Sequence, residues 1–240
     1  MIENKILEDY INSFYGYGIW SANYWFVGIE ENGGYTIEDT ITRINSWNGY
    51  RTDLIDCKEH HSNIGHHQFF TKGKHQPTWW GLMKLRKAIE GKDITTASLR
   101  DMQRNNWGQK NSENLILDLF PLPSPSVKDW KYDKWSKLTY LTTRSDYFKE
   151  LAERRINYLQ EKIQLNEPKV VFFYGSSMMK YWNKVVPNSF QKEGKTTKVG
   201  RYYLRVLESD RTVFVQIPHP SAIWGNEWYE NAGKVIQRSL

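Results

Sequence analysis

Residues 147–175 read Tyr147-Phe-Lys-Glu-Leu151-Ala-Glu-Arg-Arg-Ile156-Asn-Tyr-Leu159-Gln-Glu-Lys-Ile163-Gln-Leu-Asn-Glu-Pro168-Lys-Val170-Val-Phe-Phe-Tyr174-Gly175. Phe148, Leu151, Ala152, Ile156, Leu159 and Ile163 recur at helical spacing, so the first part predicts a helix over 147–165 that stops before Pro168. Val170–Tyr174 is apolar on both of its faces, as a strand covered from two sides must be. A long amphipathic helix followed at once by such a strand is one step of an α/β fold.

Working outward, three more segments read as buried strands: Tyr24–Ile29, Leu115–Leu119 and Thr212–Ile217. Tyr202–Leu207 reads as a fifth, joined to the last of these by a turn at Ser209-Asp210-Arg211. Helical spacing is also present over Ile2–Phe14, Trp79–Ile89 and Glu227–Arg238, and Ser176 or Ser177 is placed to cap a helix reaching Val185. The alternation predicts a three-layer α/β/α domain around a mainly parallel four-stranded sheet. Residues 1–240 are read as one domain with an insertion at about 35–110.

Composition narrows the function. The chain has 240 residues, a net charge of +6 and 36 aromatic residues, with a pI of 9.1 and a mean hydropathy of −0.71. Its one cysteine, Cys57, excludes an internal disulfide, a cysteine-ligated iron–sulfur cluster and a four-cysteine zinc site. No apolar run is long enough to span a membrane, and the N-terminus lacks a secretion signal, so a soluble cytoplasmic protein is expected. The aromatics either build the core of a polar chain or lie in part on the surface, where they would stack on bases or sugars. Charge is uneven: residues 1–60 sum to −6 and residues 61–240 to +12. The densest basic stretch holds Lys180, Lys184, Lys192, Lys195, Lys198, Arg201 and Arg205 against Glu193. It reads either as a footprint for phosphate backbones or as a solvated loop.

Sites in open α/β sheets lie beyond the carboxyl ends of the strands. The residues that follow the four strands are Glu30-Glu31-Asn32-Gly33-Gly34, Phe120-Pro121-Leu122-Pro123-Ser124, Gly175-Ser176-Ser177 and Pro218-His219-Pro220-Ser221. The last resembles the His-Pro-Ser motif of the uracil-DNA glycosylase superfamily, which also follows the last sheet strand. Val27-Gly28-Ile29-Glu30 is similar to that superfamily's first motif. Asn114-Leu-Ile-Leu-Asp118-Leu-Phe-Pro121 lies where the family has its base-reading strand, and Val170–Gly175 matches its third strand. The resemblance covers roughly 150 of the 240 residues.

The resemblance implies a DNA glycosylase-like enzyme that flips a deaminated or damaged base out of DNA and hydrolyses its N-glycosidic bond, as a monomer without metal or cofactor. Glu30 then stands for the water-positioning acid, or is a strand-end acid that caps a turn or pairs with a lysine. Glu31 is the spare carboxylate. His219, neutral, would donate to the carbonyl oxygen of the departing base, or is a loop histidine held between two prolines. Gly28 and Asn32 complete the substrate loop.

Asp118, or Asn114, stands where an Asn usually reads the pyrimidine edge. An acid suits O4 of uracil less well than an amide, so uracil is not expected as the sole substrate. Phe120 would stack on the base or pack in the core, and Ser221 would bond a phosphate or cap the next helix. Ile223, with Trp224 beside it, would wedge into the duplex or pack at a helix start. Lys195, Lys198 and Arg201 would contact the DNA backbone.

The sequence departs from the family at Glu31, where a Pro is usual, at Asn32 and at Asp118. These departures keep a non-catalytic nucleic-acid-binding module open as an alternative, and an enzyme acting on a free nucleoside or nucleotide as a third reading. His60, His61, His66, His67 and His75 crowd one stretch near Cys57, yet lack the helical spacing of zinc ligands. They read as a polar insertion loop, a lid or a nucleic-acid contact. Gly33-Gly34 and Gly175-Ser176-Ser177 match no full phosphate-loop pattern.

Overall fold

The computed structural model describes residues 1–190 and 194–240; Lys192 and Glu193 of the basic stretch lie outside the described residues. The chain folds as α/β, with one mixed sheet of eight strands. Helix α1 (Asn4–Ser13) leads into β1 (Gly16–Tyr17) and β2 (Tyr24–Gly28). Residues 35–110 then form α2 (Ile37–Asn48), β3 (Leu54–Ile55), α3 (Cys57–Asn63), α4 (Gln68–Thr71), α5 (Pro77–Ile89) and α6 (Thr96–Asn106). After β4 (Asn114–Asp118) come α7 (Tyr132–Trp135), α8 (Arg144–Asn166), β5 (Val170–Tyr174) and α9 (Met179–Val185). The hairpin β6 (Lys195–Val199) and β7 (Tyr202–Glu208), then β8 (Val213–Ile217) and α10 (Glu227–Gln237), close the chain.

The sheet order is β3-β1-β4-β2-β5-β8-β7-β6. The four strands expected from the sequence are its centre, β4, β2, β5 and β8, all parallel to one another. The expected four-stranded sheet is corrected to eight strands. β7 and β6 extend one edge antiparallel, and the two-residue strands β1 and β3 extend the other. Helices cover both faces. Phe172 stacks on Phe26, 5.0 Å away, and Phe26 in turn packs against Trp107 just past α6. Its neighbour Phe173 points the other way and stacks on Trp182 of α9. Alternate residues of one strand thus enter two separate cores.

Local chemistry sets the helix ends. Thr143 caps α8 by accepting from the Asp146 amide, and Glu167 ends it in the left-handed region before Pro168. Thr36 caps α2, Asp56 caps α3, and a Thr95/Ser98 capping box opens α6. The expected insertion loop is therefore a helical subassembly, and His60 and His61 within it are buried rather than polar surface. Gly81 of α5 lets that subassembly meet the sheet: a Cβ there would lie 2.6 Å from Pro220 and 2.5 Å from the Tyr229 hydroxyl. No helix among the described residues is long and apolar enough to cross a membrane.

Candidate active site

Beyond the carboxyl ends of the four parallel strands lies a cleft of about 740 Å³. All four strand-end loops reach it. They bring Glu30, Glu31 and Asn32 after β2, Asp118 and Ser124–Val127 after β4, Tyr174 and Ser177 at β5, and His219 and Ser221 after β8. The 35–110 segment supplies the facing wall, including His61, Phe69, Lys74, His75 and Trp79. A second, more open groove of about 880 Å³ runs between Tyr15 and α8. Its one aspartate, Asp53, accepts from both Trp20 and Tyr158 at Oδ2.

The two adjacent glutamates have different surroundings. Glu31 Oε1 accepts from Arg43 Nη1 at 2.9 Å and its Oε2 accepts from the Tyr17 hydroxyl at 3.0 Å. Arg43 is aimed by Asp39, whose other oxygen accepts from the Gly34 and Tyr35 amides. Burial alone would raise the Glu31 pKa, but the Arg43 guanidinium, helped by the Tyr17 hydroxyl, holds it below the usual carboxylate value. Glu31 is therefore ionised. Glu30 forms an ion pair with Arg144, and its side chain is only 4% exposed. Burial outweighs that arginine and pushes its pKa up to about 7. Its second oxygen, Oε1, has no hydrogen-bond partner among the described residues. Arg144 also donates to Ser124 Oγ and to the Ser126 and Asp129 carbonyls, so it clamps the loop after β4 to the loop after β2.

Asp118 ends β4. Buried Arg155 of α8 fixes its backbone by donating to the Asp118 and Leu119 carbonyls. Its carboxyl faces the cleft, and no donor among the described residues reaches it. Burial first, then repulsion from Glu31, raises its pKa well above the ordinary value, which favours the protonated form. Tyr174 lies alongside and meets the His219 ring edge-on at 5.7 Å.

Two of the cleft histidines, His219 and His61, hold opposite tautomers. His219 Nδ1 accepts from the Ser221 amide at 3.4 Å and lies 2.7 Å from Ser221 Oγ. An amide can only donate, so the proton sits on Nε2. Partial burial lowers the His219 pKa, which keeps the ring neutral. His61 Nδ1 lies 2.8 Å from the Cys57 carbonyl, which can only accept, so here Nδ1 carries the proton and Nε2 a lone pair. Burial lowers the His61 pKa to about 4.

Glu30, Glu31, Asn32, Asp118, His219 and Ser221 thus share one cleft, as the strand-end rule suggests. Asn32 is engaged within the protein, donating to the Pro125 carbonyl and accepting from the Tyr35 hydroxyl. Gly28 does not line the cleft; it leaves room for Tyr174. Phe120 is corrected to the core: it is fully buried and stacked on Phe148 at 4.1 Å. Ile223 is 8% exposed and is no wedge as it stands, whereas Trp224 beside it is 82% exposed. Asn114 lies at the start of β4, far from the cleft, held by Arg86 and the Asn106 carbonyl. Lys195, Lys198 and Arg201 are exposed on the β6–β7 hairpin, outside the cleft. The Gly34 and Tyr35 amides are taken by Asp39, so Gly33-Gly34 is not an open phosphate cradle.

Sequence reasoning missed Arg43, Arg144, Tyr17 and Tyr174, and named His61 only within the histidine-rich stretch read as a loop, lid or nucleic-acid contact. The Thr36-x-x-Asp39 cap and the spacing of Ile37, Ile41, Ile44 and Trp47 could have revealed α2, and with it Arg43. Nothing local marks Arg144. Among the described residues, no three His, Cys, Asp or Glu side chains are grouped to hold a metal ion. Compared with models of known protein families and with curated proteins, the chain matches none.

Proposed function

We propose that this chain is a DNA glycosylase-like hydrolase of the uracil-DNA glycosylase type, acting on a flipped, deaminated or damaged base. The observation that supports this reading most is one cleft, at the ends of four parallel strands, that unites an imidazole whose Nδ1 accepts from a backbone amide (His219), a carboxylate paired with an arginine (Glu31) and a buried carboxyl whose pKa burial raises (Asp118). Breaking an N-glycosidic bond makes an oxocarbenium-like sugar and a base anion. A fixed negative charge stabilises the first and a fixed donor the second. In this proposal Glu31 takes the first role and His219 the second. The water-positioning role expected of Glu30 passes to its neighbour, because Arg144 and a pKa near 7 leave Glu30 only partly charged.

A neutral Asp118 offers one O–H donor and one C=O acceptor, as an amide does. That pair suits the H–N–C=O edge shared by uracil, hypoxanthine and xanthine. DNA is the proposed partner. Tyr202, which follows the hairpin turn at Gly200-Arg201, bonds to the Ala222 carbonyl and carries the Arg201 guanidinium over its ring at 5.0 Å, so Arg201 and Trp224 lie near the His219 turn. The test is base release from single- and double-stranded oligonucleotides carrying uracil, hypoxanthine, xanthine or a mismatched thymine. Release by the parent and not by a Glu31→Gln/His219→Ala double variant supports the reading. Silence on every substrate overturns it.

A further inference from the structure

His61 and Glu31 face each other across a gap that neither can close. His61 Nε2 carries a lone pair, because its Nδ1 proton is committed to the Cys57 carbonyl. Its nearest charged neighbour is Glu31 Oε1, 3.9 Å away. Glu31 is ionised and offers only lone pairs. Glu31 Oε1 already accepts from Arg43 and keeps a second lone pair, and no donor among the described residues is bonded to His61 Nε2, so one donor placed between them would serve both. The gap is a little under the span of two hydrogen bonds made by one oxygen. Both side chains line the cleft, and neither can retreat. Glu31 is pinned by Arg43 and Tyr17, and the His61 ring is packed by Trp79 at 5.1 Å and Phe70 at 5.8 Å.

We propose that His61 and Glu31 hold the hydrolytic water between them and that His61 Nε2 is its general base, an assignment that rests on the glycosylase reading above. The 35–110 segment would then contribute a catalytic residue, not only a wall. The water oxygen forms the new bond to C1′ as the C1′–N bond breaks, and that bonding pair leaves with the base. The proton lost by the water goes to His61 Nε2, and from there to solvent. Glu31, 3.9 Å from the same Nε2, stabilises by its charge the imidazolium that forms. His219, the opposite tautomer, donates from Nε2 to the departing base. One cleft thus holds a donor histidine and an acceptor histidine, each fixed by a single backbone group.

The experiment uses the full chain and the oligonucleotide substrate found in the base-release panel. His61→Asn keeps a donor for the Cys57 carbonyl and deletes Nε2. It is expected to lower kcat roughly 100-fold or more, the usual scale for a lost general base, with DNA affinity unchanged. His61→Ala is expected to regain activity when imidazole is added, and His61→Asn is not, since its cavity is filled. Long-range proton–nitrogen correlation spectra of the parent should show His61 protonated at Nδ1 alone. A His61→Asn variant as fast as the parent overturns this inference and leaves the glycosylase reading standing. A His61 ring protonated at Nε2 overturns it whatever the activity. A parent that releases no base from any substrate overturns the reading and this assignment together.

Discussion

Tyr174 lies across Gly28 so closely that a Cβ at residue 28 would stand 2.2 Å from the tyrosine hydroxyl and 2.5 Å from Cζ. The obstruction is the far end of a side chain, not backbone, so it can swing away. Gly28→Ala is therefore expected to fold with a melting temperature close to the parent's, yet to displace Tyr174 from beside Asp118 and His219. Base release should fall well before stability does, and Gly28→Ala/Tyr174→Ala should fall no further than Tyr174→Ala alone. Thermal unfolding and kinetics on the three variants check this coupling.

Glu30 and Glu31 should shape the pH dependence of stability in opposite senses. In the folded chain the Glu30 pKa is raised from 4.5 to about 7. Between those values the folded chain holds a proton that the unfolded chain has released, so stability falls as pH rises through this window, by at most about 1.4 kcal/mol per pH unit. Glu30→Gln should flatten that fall. Glu31 has a lowered pKa, so its contribution is present above the unfolded value and is lost as pH drops through the folded one. Glu31→Gln should remove that acid-side loss. Urea unfolding across both windows distinguishes the two.

Arg144→Met removes the clamp on Ser124, Ser126 and Asp129 and leaves Glu30 unpaired. A stranded buried charge usually costs about 3–5 kcal/mol. Glu30 escapes most of this by taking up a proton, since its pKa is already near 7 with Arg144 present. The expected loss is about 1–3 kcal/mol, the cost of lost hydrogen bonds. It should be larger at pH 8 than at pH 6, as denaturant unfolding at the two pH values would show.

Trp224→Ala should leave stability unchanged, because the side chain is 82% exposed. On the proposed function it should weaken binding to an uncleavable oligonucleotide by about 1–3 kcal/mol, the scale of one base–aromatic stack. The salt dependence should stay the same. Lys198→Ala and Arg201→Ala should each reduce the slope of log affinity against log salt by about one. Fluorescence anisotropy over a salt series measures all three.

The centre of the fold was legible because β2, β4, β5 and β8 are apolar on both faces, and little else in a chain this polar is. The edges were not. β1 and β3 are two residues each, too short to show any period, and Lys195–Val199 is an exposed edge strand whose lysines read as charge rather than as structure. The strand-end rule gathered Glu30, Asp118 and His219 correctly because it depends only on the direction of parallel strands. The burial of His61, Arg43 and Arg144 depends on partners in other elements. Arg144 meets Glu30 across 114 positions, and no local pattern records such a pairing. The helices of 35–110 carried readable caps, but their buried histidines made the segment look like a polar loop.

The contact of Gly81 with Pro220 has an engineering consequence. α5 leans on the His219-Pro220-Ser221 turn with no room for even one added carbon, and Tyr229 bonds the Pro220 carbonyl from the other side at 3.1 Å. Anyone transplanting the 35–110 segment onto a related sheet, or trimming it to make a minimal scaffold, would have to move Gly81, Pro220 and Tyr229 as one unit. Otherwise the graft would be expected to rotate the imidazole it was meant to serve.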